Sequence, residues 1–133
     1  MTKKEIFEKI MEITALVCDV KVDDMRARVR KEDVVTALTI VVFWADAAGF
    51  SVESLCKCLA SNNANSVNVV KKRVEEYWRE KFAFHMLVKD VGVRLHEYAL
   101  SEGEDFDYWK PLRHMSKVTG KYAPPCIDLT GEP

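Results

Sequence analysis

Apolar residues recur every three or four positions through most of the first hundred residues of this chain. Ile6, Ile10, Ile13, Leu16 and Val17 hold that spacing, which places them on one face of a helix. Thr2 and Glu5 precede them as T-x-x-E, a capping box in which each side chain satisfies a free N–H of the first turn. The pattern predicts a helix over residues 3–18, a loop at Asp19-Val20-Lys21, and one short helical turn from Val22 to Met25. From Glu32 to Ala48 the chain is apolar on nearly every side: Val34, Val35, Leu38, Val41, Val42 and Ala45, with Ile40, Phe43 and Trp44. A helix without a polar face is predicted to be central and well buried. Gly49 is its terminator, in the left-handed conformation that glycine adopts most readily.

The stretch from Phe50 to Glu76 predicts two short helices around a polar turn. Ser51 caps the first, its hydroxyl accepting an orphan N–H. Val52, Leu55, Cys56 and Leu59 share a face. Ala60-Ser61-Asn62-Asn63 interrupts the pattern with small and amide residues that compete for the backbone. Asn62 or Asn63 caps the second helix, and Val67, Val70 and Val74 form its buried stripe. Its other face carries Asn65, Ser66, Asn68, Lys71, Lys72 and Arg73. Glu75 and Glu76 follow at i,i+4 from Lys71 and Lys72 and suit surface ion pairs.

Two helices joined in this way suggest a helix-turn-helix, whose second helix enters a DNA major groove by its N-terminal end. Asn65, Ser66 and Asn68 lie near that end. Asparagine can bond an adenine edge through two contacts, and serine can serve several base edges. Asn62, Asn63 and Asn65 would equally serve a solvated turn and cap, and the pattern leaves both readings open.

The densest basic cluster, Arg26-Ala27-Arg28-Val29-Arg30-Lys31, falls between helices. Its four cations repel one another, and a phosphate backbone would relieve the repulsion. An arginine from such a loop can also enter a minor groove. The plainer reading is a solvated linker, partly neutralised by Asp23, Asp24, Glu32 and Asp33.

Beyond Tyr77 a second strongly apolar helical stretch is predicted over roughly 80–101, with a bend near Arg79. Ser101-Glu102-Gly103-Glu104-Asp105 reads as an acidic loop. Pro111 suits the first position of a short helix bearing Leu112, Met115 and Val118, ended by Gly120. The final residues, YAPPCIDLTGEP, read as an extended tail. Tyr77, Trp78, Phe82, Phe84, Tyr98, Phe106, Tyr108 and Trp109 are expected to pack back on the first half. The alternative is a subunit interface, since aromatic residues are enriched in interface cores.

Composition narrows the function classes. A net charge of -1 over 133 residues means that any nucleic-acid affinity must come from local clustering. No apolar run is long enough to span a bilayer, and MTKKEIFEK lacks the apolar core of an export signal, so a cytoplasmic protein without a membrane partner is expected. Cys56 and Cys58 form C-x-C, with no Cys/His pair at zinc-finger spacing. With Cys18 and Cys126 they read as reduced, mostly buried thiols. His85, His96 and His114 have no metal-site spacing and read as surface or core-edge residues. No metal or cofactor is expected.

Residues 6–77 resemble the C-terminal duplex-binding domain of the bacterial replication initiator DnaA, in the Trp-repressor-like helical superfamily. The resemblance is carried by Val22-Asp23-Asp24-Met25, Arg28-Val29-Arg30-Lys31, Val34-Val35-Thr36-Ala37, Phe50-Ser51-Val52 and the run from Leu59 to Val67. It needs one deletion near Gly49. It implies an all-α helical bundle with a helix-turn-helix over residues 1–79; the helical extension over 80–133, expected to pack against it, is read from the residues beyond the resemblance. It also implies phosphate and minor-groove contacts from the basic loop. The family's base-reading triplet, spaced D-H-x-T, is replaced by Asn63, Ala64 and Ser66, and the Gly-Gly-Arg before it by Ala60-Ser61-Asn62. The family's own DNA box is therefore not expected to be recognised. The initiator's ATPase domain has no counterpart, because G-x-x-x-x-G-K-[ST] is absent.

These readings converge on a non-enzymatic protein that binds double-stranded DNA in replication or transcription control. The DNA-binding residues expected are Arg26, Arg28, Arg30, Lys31, Asn62, Asn63, Asn65, Ser66, Asn68, Lys71 and Lys72. The alternative is a protein-interaction module on the same scaffold that has lost DNA binding, its aromatic C-terminal half docking a partner or a second copy.

Overall fold

The structure, a computed structural model, describes residues 3–59 and 64–101, without the side chains of residues 3, 64–66, 99 and 100. The described residues form an all-helical fold: α1 (Lys3–Cys18), α2 (Val22–Arg26), α3 (Glu32–Ala47), α4 (Val52–Cys58), α5 (Ala64–Glu80) and α6 (Phe82–Ser101). The turn at Asn62 and Asn63, the short helix expected after Pro111 and the C-terminal tail lie outside the described residues.

Local chemistry sets most of the helix ends. Val20 N–H donates to the Ala15 carbonyl (3.0 Å), with Asp19 left-handed (φ 54°). Phe50 N–H donates to Ala45 (3.0 Å), with Gly49 at φ 93°. Both satisfy otherwise orphaned carbonyls of a final turn, the closure that left-handed residues permit. Ser51 Oγ accepts the Ser54 N–H at 3.1 Å and starts α4.

α3 is the centre. Eleven of its sixteen residues are buried, among them Ile40, Val41, Trp44 and Ala45 at no exposure. α1 packs on it and brings Ile6, Phe7, Ile10 and Met11 to the core, while α6 packs on both α1 and α3 and adds Val88, Val91 and Leu95. Buried hydroxyls on these helices are satisfied locally: Thr14 donates to the Ile10 carbonyl and Thr39 to the Val35 carbonyl, both at 2.7 Å. The Trp44 indole N–H donates to the Val88 carbonyl at 3.1 Å, which joins α3 to α6 by a hydrogen bond as well as by area.

α5 does not run on into α6. Lys81 separates them, although its N–H still reaches the Tyr77 carbonyl (2.9 Å) and its carbonyl accepts from Phe84 (3.1 Å). No proline or glycine sits at the break. The cause is aromatic packing. Trp78 stacks on Phe43 (5.4 Å, 14°), and Phe84 meets the same ring edge-on (6.5 Å, 84°). Six residues of unbroken helix would leave these two side chains roughly 120° apart around the axis, on different faces. The bend lets both reach α3. The described aromatics Tyr77, Trp78 and Phe84 thus pack back on the first half, whereas Phe82 is 78% exposed.

Candidate nucleic-acid interface

The basic loop begins at the end of α2. Arg28 N–H donates to the Met25 carbonyl and Val29 N–H to the Asp24 carbonyl, both at 3.1 Å. This closure needs a left-handed residue, and Arg28 supplies it at φ 54°. Glycine is the usual occupant, and an arginine there costs roughly 1 kcal/mol. Val29 packs against the core, so the loop has a fixed root while Arg28, Arg30 and Lys31 are exposed. Asp33 Oδ1 accepts the Val34 N–H (2.8 Å), which commits one of the nearby carboxylates to the start of α3.

The sequence-predicted cations divide into two groups. Arg26 is hydrogen-bonded to Glu8 of α1, and that bond raises its pKa above the ordinary guanidinium value. Lys71 Nζ lies 3.0 Å from Asp46 near the end of α3, an ion pair that ties α5 to the central helix. By contrast, among the described residues no carboxylate stands within ion-pair distance of Arg28, Arg30, Lys31 or Lys72. Among the described residues, nothing neutralises these four charges.

The loop adjoins α4. Arg26 and Arg28 line a cavity of about 150 Å³ with Met11, Met25, Cys58 and Leu59. The arginines therefore share this cavity with the C-terminal end of α4. Of the predicted reading residues, Asn68 is exposed on α5, beside exposed Lys72. Val67 and Val70 are buried, so α5 turns its apolar stripe inward and its amide and lysine face outward. Asn62 and Asn63 lie outside the described residues, as do the side chains of Asn65 and Ser66.

A larger groove of about 530 Å³ opens between α1 and α4 and shares Arg26 and Cys58 with the smaller cavity. Lys4 and Lys57 contribute to it, and neither was singled out by the sequence pattern. The only signal available was their position on the polar faces of two helices, because the packing that unites them with Arg26 is tertiary.

His85 is a core-edge residue. Its ring stacks on Trp78 (4.1 Å) and its Nε2 lies 2.6 Å from the Trp78 carbonyl. Among the described residues no group of His, Cys, Asp and Glu could hold a metal ion, and Cys18, Cys56 and Cys58 form no disulfide. No described helix is long and apolar enough to cross a membrane. Compared with known proteins, the chain matches no family model and no curated protein, and its fold matches no solved structure.

Proposed function

We propose that this chain is a non-enzymatic protein that binds duplex DNA through a DnaA-like helix-turn-helix formed by α4, residues 60–63 and α5. The observation that carries the reading is Arg28. It occupies a strained left-handed position, exposed, without a carboxylate partner among the described residues, and lines one cavity with Cys58 and Leu59 at the end of α4. The left-handed turn closes the end of α2, and such outliers recur at functional sites, which supports the reading. Arg28, Arg30 and Lys31 contact phosphates or enter a minor groove. Asn62, Asn63, Asn65, Ser66 and Asn68 face the adjoining major groove, and Lys72 touches the flanking backbone. Arg26 and Lys71 serve mainly to brace the two surfaces through Glu8 and Asp46. The role belongs to replication or transcription control.

Fluorescence anisotropy with a labelled mixed-sequence duplex tests this. Binding at about 50 mM salt should weaken steeply by about 200 mM, since each phosphate contact releases condensed counterions. An anisotropy that stays flat at the lower salt would reject the reading.

A second reading, a protein-interaction module, draws on Phe82 and Met86. These two lie one turn apart on α6 and are 78% and 57% exposed. Apolar side chains left open together mark contact surfaces. Light scattering distinguishes it: a dimer that dissociates on Phe82→Ser would favour it.

A further inference from the structure

We propose that the acidic, aromatic segment following α6, Glu102–Trp109, docks in the groove between α1 and α4 and competes there with nucleic acid. The docking stands on the groove itself, and only the identity of the competitor rests on the DNA-binding reading. The groove is lined by Lys4, by Arg26 hydrogen-bonded to Glu8, and by Lys57, whose Nζ lies 3.6 Å from Glu53 in an exposed pair, with Phe7 and Cys58 as apolar floor. It continues into the smaller cavity that holds Arg28. Such a surface suits a ligand carrying carboxylates and aromatic rings together. Residues 102–109 read E-G-E-D-F-D-Y-W: four carboxylates and three rings in eight residues, with no cation among them.

Reach is sufficient. Lys9 Nζ sits 4.6 Å over the Tyr98 ring, so α6 ends beside α1 one residue from Glu8 of the groove. From Lys9 to Lys4 is about 7.5 Å along the helix. Eight extended residues cover roughly 26 Å. The segment can therefore pass around α1 and lie along the groove. Exposed ion pairs are individually weak and screened by salt. Tethering compensates by holding the segment at a high effective concentration, yet leaves the contact weak enough for a polyanion to displace.

The test uses the full chain and reads Cys58 in the groove floor. Alkylation by iodoacetamide, a neutral reagent, is followed by peptide mass, with Cys18 as internal reference. The variant carries Glu102→Gln, Glu104→Gln, Asp105→Asn and Asp107→Asn. Cys58 should react several-fold faster in the variant than in the native chain, with Cys18 unchanged, and Lys57→Gln should act in the same direction. Duplex affinity should rise roughly tenfold once the tethered competitor is lost. Equal Cys58 rates in native and variant chains would overturn the proposal. Protection that grows with protein concentration would also overturn it, by assigning the groove to the segment of a second copy. Faster Cys58 alkylation in a chain that binds no duplex would uphold the docking and reject the DNA reading alone.

Discussion

α3 and α5 are nearly equal in length, sixteen and seventeen residues, and they touch, but they use their surfaces in opposite ways. α3 buries eleven side chains and has almost nothing left for solvent. α5 buries Val67, Val70 and Trp78 and leaves Asn68, Val69, Lys72, Glu76, Arg79 and Glu80 outside. The first helix is held chiefly by packing, with the Trp44 hydrogen bond to Val88 added to it. The second is held by one stripe and by tethers at its sides, such as Lys71 to Asp46. A change in α3 should therefore be felt as stability, and a change in the exposed loop and outer α5 face as binding.

The largest effect expected is on α3. Trp44→Ala removes a fully buried indole and its added hydrogen bond to the Val88 carbonyl. A loss of about 3–5 kcal/mol is expected in urea unfolding. A loss below about 1 kcal/mol would mean that α3 is not the centre of the core. Next is the basic loop. Arg28→Ala with Arg30→Ala should lower duplex affinity about a hundredfold at low salt and flatten the log–log salt slope by about 2. Stability should change by no more than about 0.5 kcal/mol. Parallel losses of binding and of stability would erase the contrast between the two regions.

Ser51→Ala removes the N-cap of α4 and should cost about 1 kcal/mol, read as a lower unfolding midpoint. The smallest effect concerns Cys18 at the end of α1. Burial, and secondarily the charge of Asp33, pushes its pKa from 9.0 up to about 11. The unfolded chain then loses this proton before the folded one does. The contribution is complete below pH 9 and fades as pH rises toward about 11. Cys18→Ser should flatten that alkaline decline in midpoint-versus-pH measurements, and an unchanged slope would show that other groups cause it.

Most of the helical framework was legible in the residues because its causes are local. The run of α1 follows from its period, while the capping box at Thr2 lies outside the described residues. The end of α3 follows from Gly49, and the start of α4 from Ser51. The bend near Arg79 was anticipated, but its position at Lys81 depends on where Phe43 stands, which no local pattern records. The site was less legible for the same reason. Six adjacent residues announced the basic loop, but the loss of Arg26 to Glu8 spans eighteen positions and that of Lys71 to Asp46 spans twenty-five. Lys4 and Lys57 reach one groove only because α1 and α4 are folded side by side. Whether those positions read bases depends on residues 60–63, where pattern alone allowed either a reading tip or a plain cap.

The indole of Trp44 bonded to the Val88 carbonyl has a practical bearing on dissecting this chain. A cut after Glu80 would strip Val88, Val91 and Leu95 from the back of α3 and leave that indole facing water, so a fragment ending there should be sticky and poorly behaved. Anyone wishing to isolate the minimal folded unit should keep the whole of α6 and place the new terminus beyond Ser101.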